Sequence, residues 1–466
     1  MNAPAEPRPR ACLLSAVHSG SGKTTVSLGI IRALARRGLT VQPFKAGPDF
    51  LDGTFHTRAA GTSSYNLDTW MIDTEALSAH FRALMTKRNI GIVEGAMGLY
   101  DGFEGTMKGS SAELARTLGI PVVLVIDCKG LSGSVAPLVH GFRTFRSDVH
   151  VSGVILNRTA GDRHFRFLKE ALSPLDIKII GHLPRNESYA LEHRHLGLVA
   201  ASYGGITEEL IETIAEAMKE TIDLDLLVRI CAPVAPDAAF VKPIANKQDS
   251  VCRIAVARDA AFHFYYQANL DMLEAAGAEL VEFSPLSDRS LPDSVDGLIF
   301  GGGYPEEHAA ELAENELMRR SILDFSLSGG CIYAECGGYM YLGGHIEKDG
   351  IAHPMCGVFP SVFKMNDGTL KNIGYRKITL AVDTILGPAG TVMHGHEFHY
   401  SVQKTDREGT TCAPFRILPR IVTDIAQPAG LMVRNTLGSY LHVHFLSNPA
   451  IVKHIVTSCC LTKKAL

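Results

Sequence analysis

Residues 18–25 combine glycines, a lysine and hydroxyl side chains in a pattern suited to binding phosphate. The segment reads HSGSGKTT and follows an apolar run, residues 11–17, that predicts a buried strand. Glycines let such a loop curl so that backbone N–H groups face phosphate oxygens, Lys23 supplies a cation and a Thr hydroxyl reaches Mg²⁺. The first glycine of the usual G-x-x-x-x-G-K-T pattern is replaced by Val17. The predicted ATP-binding residues of this loop are Ser19, Gly20, Ser21, Gly22, Lys23, Thr24 and Thr25.

Four carboxylates follow the ends of two further predicted strands. Asp49 and Asp52 come after residues 41–44, and Glu94 and Asp101 come after residues 90–93. Ligands of open α/β sheets bind at the carboxyl ends of the strands, and Mg²⁺ prefers oxygen ligands. The four acids, with Thr24, are therefore predicted to bind Mg²⁺ or activate a substrate. A solvated loop acid is the alternative for one or two of them, and it fits Glu94 least.

Another strand end, after residues 151–156, is followed by Asn157 and Arg158. These side chains either contact the base of the nucleotide or turn the chain, and the sequence leaves both interpretations open. Asn157 is included among the predicted ATP-binding residues.

A second chemical centre is indicated by Cys336, which lies between a predicted strand, residues 331–334, and Gly337. A residue on a tight turn between strand and helix is presented at the top of a sheet, as in a nucleophile elbow. A helix N-terminus is expected to lower the pKa of such a thiol, because the thiolate is the reactive form. Cys336 is therefore the predicted nucleophile, whereas the other nine cysteines are expected to be structural thiols.

A cysteine nucleophile needs a base and donors for the oxyanion. His442 and His444 would lie on the same face of a strand, so either could reach Cys336. The glycine run after residues 297–300 suits an oxyanion hole, with Gly302 and Gly303 acting together with the amide of Gly337.

Three further histidines, His394, His396 and His399, surround Glu397. The spacing is not H-E-x-x-H, so we do not expect a metal site there. Contact with substrate and a polar hydrogen-bonded core are the two alternatives.

The elements that must position these groups form two α/β halves. Apolar runs at 11–17, 41–44, 90–93, 122–126, 151–156 and 177–183 alternate with helical patterns such as 25–36 and 208–219. This alternation predicts a doubly wound parallel sheet. Residues 231–250 contain three prolines and little periodicity, so they are the predicted linker. New strands follow at 253–257, 278–283, 297–300 and 331–334.

Composition limits the class of protein. The 466 residues carry a net charge of −4, which provides no general basic field for nucleic acid. No apolar run is long enough to span a membrane, and the N-terminal residues lack a signal-peptide core. We therefore expect a cytoplasmic protein that acts on small molecules, without nucleic-acid or membrane partners. A homodimer is one assembly that the sequence leaves open.

Taken in order, eight segments resemble the cobyrinate a,c-diamide synthase family, which belongs with the cobyric acid synthases and dethiobiotin synthetases. The resemblance covers nearly the whole chain. The segments are SGSGKTT, FKAGPDFLD, NLDTWM, VEGAMGLYDG, GGGYPE, AECGGY, GHEFHYS and SYLHVHF.

The resemblance implies an α/β fold, with an N-terminal P-loop NTPase-like doubly wound sheet and a C-terminal class I glutamine amidotransferase-like domain. It implies that residues 1–230 bind ATP and the corrinoid, that residues 231–250 form a linker and that residues 251–466 form the glutaminase domain. The implied reaction amidates the a and c acetates of cobyrinate with glutamine and Mg-ATP, through acyl phosphates, in cobalamin biosynthesis. Cys336 would be the nucleophile and His442 its base. Many class I relatives carry a Glu where this chain has His444, so the third catalytic member is unassigned and a Cys–His dyad is one alternative.

Two other functions are compatible with parts of this pattern. Relatives amidate hydrogenobyrinate or nickel sirohydrochlorin with the same motifs. A regulatory P-loop ATPase with an inactive glutaminase-like module is a different class. Such ATPases begin the loop with Lys, where this chain has His18, and an inactive module is not expected to keep Cys336 with His442.

Overall fold

The chain divides into two compact units, residues 1–241 and 242–466. The computed structural model describes residues 8–189, 193–194, 197–198, 206–235, 250–366, 372–405, 412–418 and 425–463. The boundary falls inside the predicted linker, but the start of that segment pairs with the first strand, Ala232 with Ala11. The first unit therefore continues past residue 230. Residues 236–249 of the predicted linker lie outside the described residues.

Short runs, most of them apolar and buried, form the strands of the first unit. These strands are β1 (Arg10–Ala16), β2 (Val41–Ala46), β3 (Tyr65–Leu67), β4 (Ile90–Glu94), β5 (Val122–Asp127), β6 (Val151–Thr159), β7 (Lys178–Pro184), β8 (His193–Arg194), β9 (Gly197–Leu198) and β10 (Ala232–Pro233). The sheet has the order β3-β2-β4-β1-β5-β6-β7, with β10 paired to β1. All of its pairings are parallel except that of β10. The parallel sheet and its six predicted strands are confirmed.

Helices alternate with these strands, as a parallel sheet requires. The helices are α1 (Lys23–Arg36), α2 (Leu51–Ala60), α3 (Thr74–Leu84), α4 (Ser111–Leu118), α5 (Val135–Thr144), α6 (Asp162–Leu172), α7 (Glu208–Thr221) and α8 (Leu224–Ile230). Strand β1 lies between β4 and β5, and β2 is the next strand beyond β4. The loops after β1, β2 and β4 therefore open side by side at one edge of the sheet.

The described residues of the second unit form three sheets. Its strands are β11 (Cys252–Ala257), β12 (Ala278–Phe283), β13 (Gly297–Phe300), β14 (Cys331–Glu335), β15 (His345–Lys348), β16 (Ile351–Pro354), β17 (Ser361–Met365), β18 (Asn372–Leu380), β19 (Val392–His399), β20 (Ser401–Thr405), β21 (Phe415–Ile417), β22 (Gln427–Ala429), β23 (Leu431–Val433), β24 (Thr436–Ser439) and β25 (Leu441–Val443). Its helices are α9 (Gln267–Ala275), α10 (Ala309–Glu314), α11 (Glu316–Leu327), α12 (Gly337–Tyr341) and α13 (Ala450–Lys463).

The central sheet of this unit has the order β12-β11-β13-β14-β24-β23 and is parallel except for its last pair. Alternate side chains of β14 enter two apolar cores, Ile332 on one face and Tyr333 on the other. Sheets of order β16-β15-β17-β20 and β22-β21-β18-β19-β25 complete the unit. The central strand β14 lies between β13 and β24, so the loops after these three strands meet at the sheet's carboxyl edge.

Candidate functional site

The phosphate loop connects β1 to α1, as the sequence predicted. Gly22 precedes the helix with φ of 84°, a left-handed conformation that a side chain would strain. A Cβ atom there would also lie 2.2 Å from Nδ2 of Asn157, so only glycine fits. The loop can therefore turn its backbone N–H groups toward a phosphate at the start of α1.

Asn157 and Arg158 hold this loop from the end of β6. The amide of Asn157 donates to the carbonyl oxygen of Ser21 at 2.8 Å. Arg158 donates to the carbonyl oxygen of Gly20 at 2.9 Å and pairs with Asp127 at 2.6 Å. Both side chains thus contact the loop backbone, which is a role that the two interpretations of the sequence did not include.

Glu94 is the centre of a buried polar cluster behind the loop. Its Oε1 accepts a hydrogen bond from Thr24 at 2.7 Å and pairs with Lys45 Nζ at 3.2 Å. Its Oε2 lies 2.7 Å from Nε2 of His56. Lys45 also pairs with Asp52. The structure therefore brings together Thr24, Glu94 and Asp52, which the sequence singled out, and adds two residues that it did not.

Charges within this cluster shift pKa values in opposite directions. Burial would raise the pKa of Glu94, but the Lys45 ammonium and the hydrogen bond from His56 outweigh it and hold that pKa well below its usual range. Burial and the neighbouring Asp49 raise the pKa of Asp52 to about 7. Burial also opposes the charged form of Lys45, yet the surrounding carboxylates raise its pKa. Glu94 is thus the firmly ionised acid, and Asp52 titrates near neutral pH.

The other two predicted acids support backbone turns. Asp49 Oδ1 accepts from the N–H of Leu51 at 2.9 Å, at the start of α2. Asp101 Oδ2 accepts from the N–H of Gly98 at 2.8 Å. The hydrogen bonds thus place neither carboxylate in the cluster, although the charge of Asp49 raises the pKa of Asp52.

Lys23 reaches across the loop, where its Nζ donates to the carbonyl oxygen of Met97 at 2.5 Å. Burial lowers the pKa of Lys23, and nearby carboxylates such as Glu94 only partly offset this. Met97 itself has φ of 45°, an uncommon conformation for a residue with a side chain. A phosphate would give the Lys23 ammonium a stronger acceptor than this carbonyl.

The donor set of this centre fits Mg²⁺ bound together with nucleotide. The hydroxyl of Thr24 and the ionised Glu94 are oxygen ligands next to the phosphate loop. Among the residues that the structure describes, no three His, Cys, Asp or Glu side chains are grouped so as to hold a metal by themselves. Mg²⁺ commonly uses one or two protein ligands and completes its shell with phosphates and waters.

Cys336 lies on a strained turn between β14 and α12. Its φ of 47° and ψ of −102° are unfavourable for any residue with a Cβ. The backbone N–H of Cys336 is fixed by the carbonyl oxygen of Ser439 at 2.7 Å, on the neighbouring strand. Its Sγ lies 3.6 Å from the carbonyl oxygen of Phe398. This geometry is that of the predicted elbow.

The expected lowering of the Cys336 pKa is wrong. Burial raises that pKa, the carboxylates of Glu306 and Glu335 raise it further, and only the N–H of Gly337 opposes the change. Helix α12 spans just five residues, so its N-terminus offers little compensating charge. The raised pKa favours the protonated thiol, so Cys336 would need a base to act as a nucleophile.

His442, the predicted base, lies against the residue that precedes Cys336. Its Nδ1 lies 3.4 Å from Oε2 of Glu335, the residue before Cys336. Across the strand pair its partner is His396, whose pKa is lowered to about 3 by burial and by His442. The imidazole is thus buried among polar groups at the carboxyl edge of the central sheet.

His444 does not share this position, because β25 ends one residue before it. Its ring packs against Tyr266, with 4.7 Å between ring centroids. The two histidines, which the alternation of residues left open, therefore have different surroundings; the family resemblance implied His442 as the base.

The predicted oxyanion-hole glycines come from two adjoining loops. A Cβ on Gly337 would lie 3.0 Å from the backbone N of Gly303, so these two backbones approach closely. A Cβ on Gly302 would lie 2.5 Å from Cε1 of His442. All three glycines thus lie around the elbow and the histidine ring, where side chains would collide.

The motif that contains Glu397 forms a hydrogen-bonded core. Glu397 pairs with Arg376 at 2.8 Å and with His399 at 3.2 Å. His399 also stacks on Tyr440, with 3.6 Å between ring centroids. Of the two alternatives for this motif, the contacts favour the polar core for Glu397 and His399.

Sequence reasoning missed Lys45, His56 and Glu335. Lys45 belongs to a strand whose residues are all buried, so a lysine among apolar neighbours was a usable signal. Glu335 likewise ends the buried strand β14. His56 lies in a helix of weak amphipathic pattern, and no local signal marks it.

Similarity to known proteins agrees with this arrangement of two centres. Residues 14–199 match the CobQ/CobB/MinD/ParA nucleotide-binding domain, and residues 253–450 match the CobB/CobQ-like glutamine amidotransferase domain. The α/β fold with these two domains is therefore confirmed. Within the described residues no helix is both long and apolar enough to cross a membrane.

Curated relatives extend the similarity over nearly the whole chain. A Listeria monocytogenes protein is 42% identical over 446 residues, covering 95% of this chain and 98% of the relative. A Streptococcus sanguinis protein is 42% identical over 444 residues, covering 94% and 97%. A Syntrophotalea carbinolica protein is 40% identical over 452 residues, covering 96% and 98%. All three are named cobyrinate a,c-diamide synthase. The chain therefore belongs to the cobyrinate a,c-diamide synthase family of glutamine amidotransferases.

Proposed function

We propose that this enzyme uses Mg-ATP and glutamine to amidate the a and c acetate carboxylates of cobyrinate, a step of cobalamin biosynthesis. The observation that carries the proposal is the presence of two centres in one chain. One contains a phosphate loop backed by an ionised Glu94, and the other contains Cys336 on a strained elbow, with His442 against the preceding Glu335. The names of relatives of about 40% identity support cobyrinate as the macrocycle.

The division into domains follows from the two centres. Residues 1–230 would bind ATP and the corrinoid, and residues 251–466 would hydrolyse glutamine. Residues 231–250 would link the domains, although this segment begins with β10, which pairs with β1 of the first unit. The matched ranges, 14–199 and 253–450, support these limits.

A carboxylate must be activated before an amine can attack it, because its charge repels nucleophiles and oxide is a poor leaving group. Attack of the carboxylate oxygen on the γ-phosphorus of ATP forms an acyl phosphate and releases ADP. Catalysis of this step depends on positioning and on neutralising charge. Lys23 would bind the β- and γ-phosphates after leaving the carbonyl oxygen of Met97, and the loop N–H groups would bind the remaining oxygens.

Mg²⁺ fits at Thr24 and Glu94, where it would neutralise charge on the phosphates. Asp52 is connected to Glu94 by Lys45, which pairs with both carboxylates. Asp49 and Asp101 lie in the adjoining loops. They would contact either the water molecules bound to Mg²⁺ or the substrate. Glu94 is the strongest ligand candidate, because its neighbours keep it ionised.

Glutamine would supply the ammonia. His442 takes the proton of Cys336, and Sγ attacks the side-chain amide carbon while Gly302, Gly303 and Gly337 surround the oxyanion. The C–N bond breaks as the nitrogen takes the proton from His442, which gives ammonia and a glutamyl thioester. Water then hydrolyses the thioester to glutamate. Ammonia attacks the acyl phosphate, releasing inorganic phosphate and leaving the amide.

A panel of macrocycles tests the choice of substrate. The purified enzyme is incubated with glutamine, Mg-ATP and cobyrinate, hydrogenobyrinate or nickel sirohydrochlorin, and the products are weighed by mass spectrometry. We expect the mono- and diamide of cobyrinate. Turnover of only the metal-free or nickel macrocycle would overturn this choice and leave the chemistry intact. ATP hydrolysis without amidation of any macrocycle, and without glutaminase activity, would support the regulatory ATPase instead.

A further inference from the structure

The carboxylate of Glu335 lies against the imidazole of His442. The distance between Glu335 Oε2 and His442 Nδ1 is 3.4 Å, and the two side chains are only 8% and 3% exposed. A pair at this distance can close to a shorter hydrogen bond when a substrate binds. In a buried site this carboxylate is therefore well placed to influence the orientation of the ring.

Two hydrogen bonds fix the other oxygen of Glu335. Oε1 accepts from the hydroxyl of Tyr333 at 2.7 Å and from the backbone N–H of Val443 at 3.0 Å. Val443 directly follows His442, so the same carboxylate contacts both the strand that carries the histidine and the histidine itself. With Oε1 held in this way, Oε2 is the oxygen that faces Nδ1.

Two other residues that could have taken this role have different partners. The position two residues after His442 is His444, whose Nδ1 accepts from the N–H of Leu446 at 3.3 Å and which offers no negative charge. Glu397 pairs with Arg376 and His399. Of these side chains, Glu335 is the one whose carboxylate oxygen is recorded against Nδ1.

The opposite edge of the imidazole faces the glycine loop. A Cβ built on Gly302 would lie 2.5 Å from Cε1 and 3.3 Å from Nε2 of His442. Nδ1 and Nε2 therefore face different partners, the carboxylate on one side and the loop that surrounds the elbow on the other. An acid–base histidine needs this arrangement, because one nitrogen must be held while the other exchanges a proton.

We propose that Glu335 is the positioning residue of the glutaminase, completing a Cys336–His442–Glu335 set in which the acid precedes the nucleophile. The inference rests on the proposed glutaminase function. Glu335 accepts the Nδ1–H of His442, so the lone pair of Nε2 is free to take the thiol proton. The carboxylate then stabilises the imidazolium until the proton passes to the departing ammonia. No bond to Glu335 forms or breaks.

Steady-state glutaminase kinetics of Glu335→Gln test this role. We expect kcat to fall by about 10²-fold or more, the scale of a positioned acid–base group, while KM for glutamine changes less than about threefold. Glu335→Asp should recover part of the loss, because it restores the charge. Tyr333→Phe should lower kcat by a smaller factor, because it frees Oε1 without removing the carboxylate.

Asp296→Asn is a matched control in the same unit. Its carboxylate is also buried and accepts the N–H of Arg253 at 2.8 Å, but it precedes β13 and lies at the edge of the sheet opposite Cys336. We expect its kcat to stay within about twofold of the wild-type value. Amidation with added ammonium, which bypasses glutamine, should be unchanged in every variant.

Retention of wild-type kcat by Glu335→Gln would overturn the proposal, as would an equal loss in Asp296→Asn. If Glu335→Gln does not fold, the kcat of Tyr333→Phe is used instead. A wild-type kcat in Tyr333→Phe would contradict the positioning role of Glu335. A wild-type enzyme without any glutaminase activity would contradict the proposed function itself, which is a separate outcome.

Discussion

The hydroxyl of Thr24 donates a hydrogen bond to Glu94 at 2.7 Å, across 70 positions of sequence. This contact joins the first turn of α1 to the end of β4. It makes Glu94 the acid that links the phosphate loop to Lys45 and His56 behind it. The ATP centre should therefore depend on the charge of Glu94 more than on that of any loop acid.

Replacing Glu94 with Gln tests this dependence. The amide keeps an oxygen for Thr24 but removes the charge that binds Mg²⁺, so we expect amidation to fall by about 10²-fold or more with glutamine or with ammonium. ADP release measures the loss. Glutaminase activity of the second unit should persist and shows that the chain has folded. Normal amidation by this variant would argue against Glu94 as a ligand.

Cys336→Ser should separate the two half-reactions. A hydroxyl is a much weaker nucleophile than a thiolate, so glutamine-dependent amidation should be lost while ammonium-dependent amidation continues. Both nitrogen sources are compared by amide formation in mass spectra. Cys412→Ser, which changes an exposed cysteine of the same unit, should leave both activities intact. Equal glutamine use by Cys336→Ser would rule out this nucleophile.

The pKa of about 7 at Asp52 predicts a pH-dependent affinity for Mg²⁺. Below that pKa the folded protein holds the proton, and Mg²⁺ must displace it if Asp52 takes part in binding. Apparent Mg²⁺ affinity, measured from ADP release, should therefore rise between about pH 6 and about pH 8. Asp52→Asn should remove the slope even where residual activity is low. An identical slope in this variant would assign the titration to another group.

The charge of Glu306 is expected to affect the reactivity of the Cys336 thiol. Burial is the main reason that the thiol pKa is raised, and the Glu306 carboxylate is the next. Burial also raises the pKa of Glu306 to about 7, so its charge is present mainly above that pH. Glu306→Gln should therefore lower the thiol pKa and speed alkylation by iodoacetamide near pH 8, on the order of severalfold, but change it little near pH 6.

The neighbouring exposed Glu307 provides the control for that experiment. Glu307→Gln removes the same charge from a side chain that is 43% exposed, where water screens it. Alkylation should then stay close to the wild-type rate. If both variants react equally, the charge of Glu306 is not the cause.

Local sequence patterns predicted the strands that lead to both centres. β1, β4 and β14 are apolar runs that end in Gly-rich turns. Such a pattern can be recognised within one segment, because it reflects the burial of that segment alone. Apart from the strand that carries His442, the two smaller sheets between residues 345 and 443 were not predicted, because short strands such as Phe415–Ile417 carry little periodicity. Their pairing depends on distant partners.

The contacts that define the two centres were also beyond local patterns. Glu94 with His56, and Glu335 with His442, join residues from different elements, so no spacing in the sequence encodes them. The raised pKa of Cys336 has the same origin, because it depends on Glu306 and Glu335 as well as on burial. Motifs located the candidate reacting groups, whereas their electrostatic partners could be identified only in the folded chain.

Transfer of labelled oxygen tests the central claim that a substrate carboxylate is phosphorylated. Cobyrinate carrying ¹⁸O in its acetate carboxylates is amidated with glutamine and Mg-ATP, and the inorganic phosphate is analysed by mass spectrometry. An acyl phosphate intermediate requires one labelled oxygen in phosphate for every amide formed. Phosphate without label, alongside normal amide formation, would contradict the account.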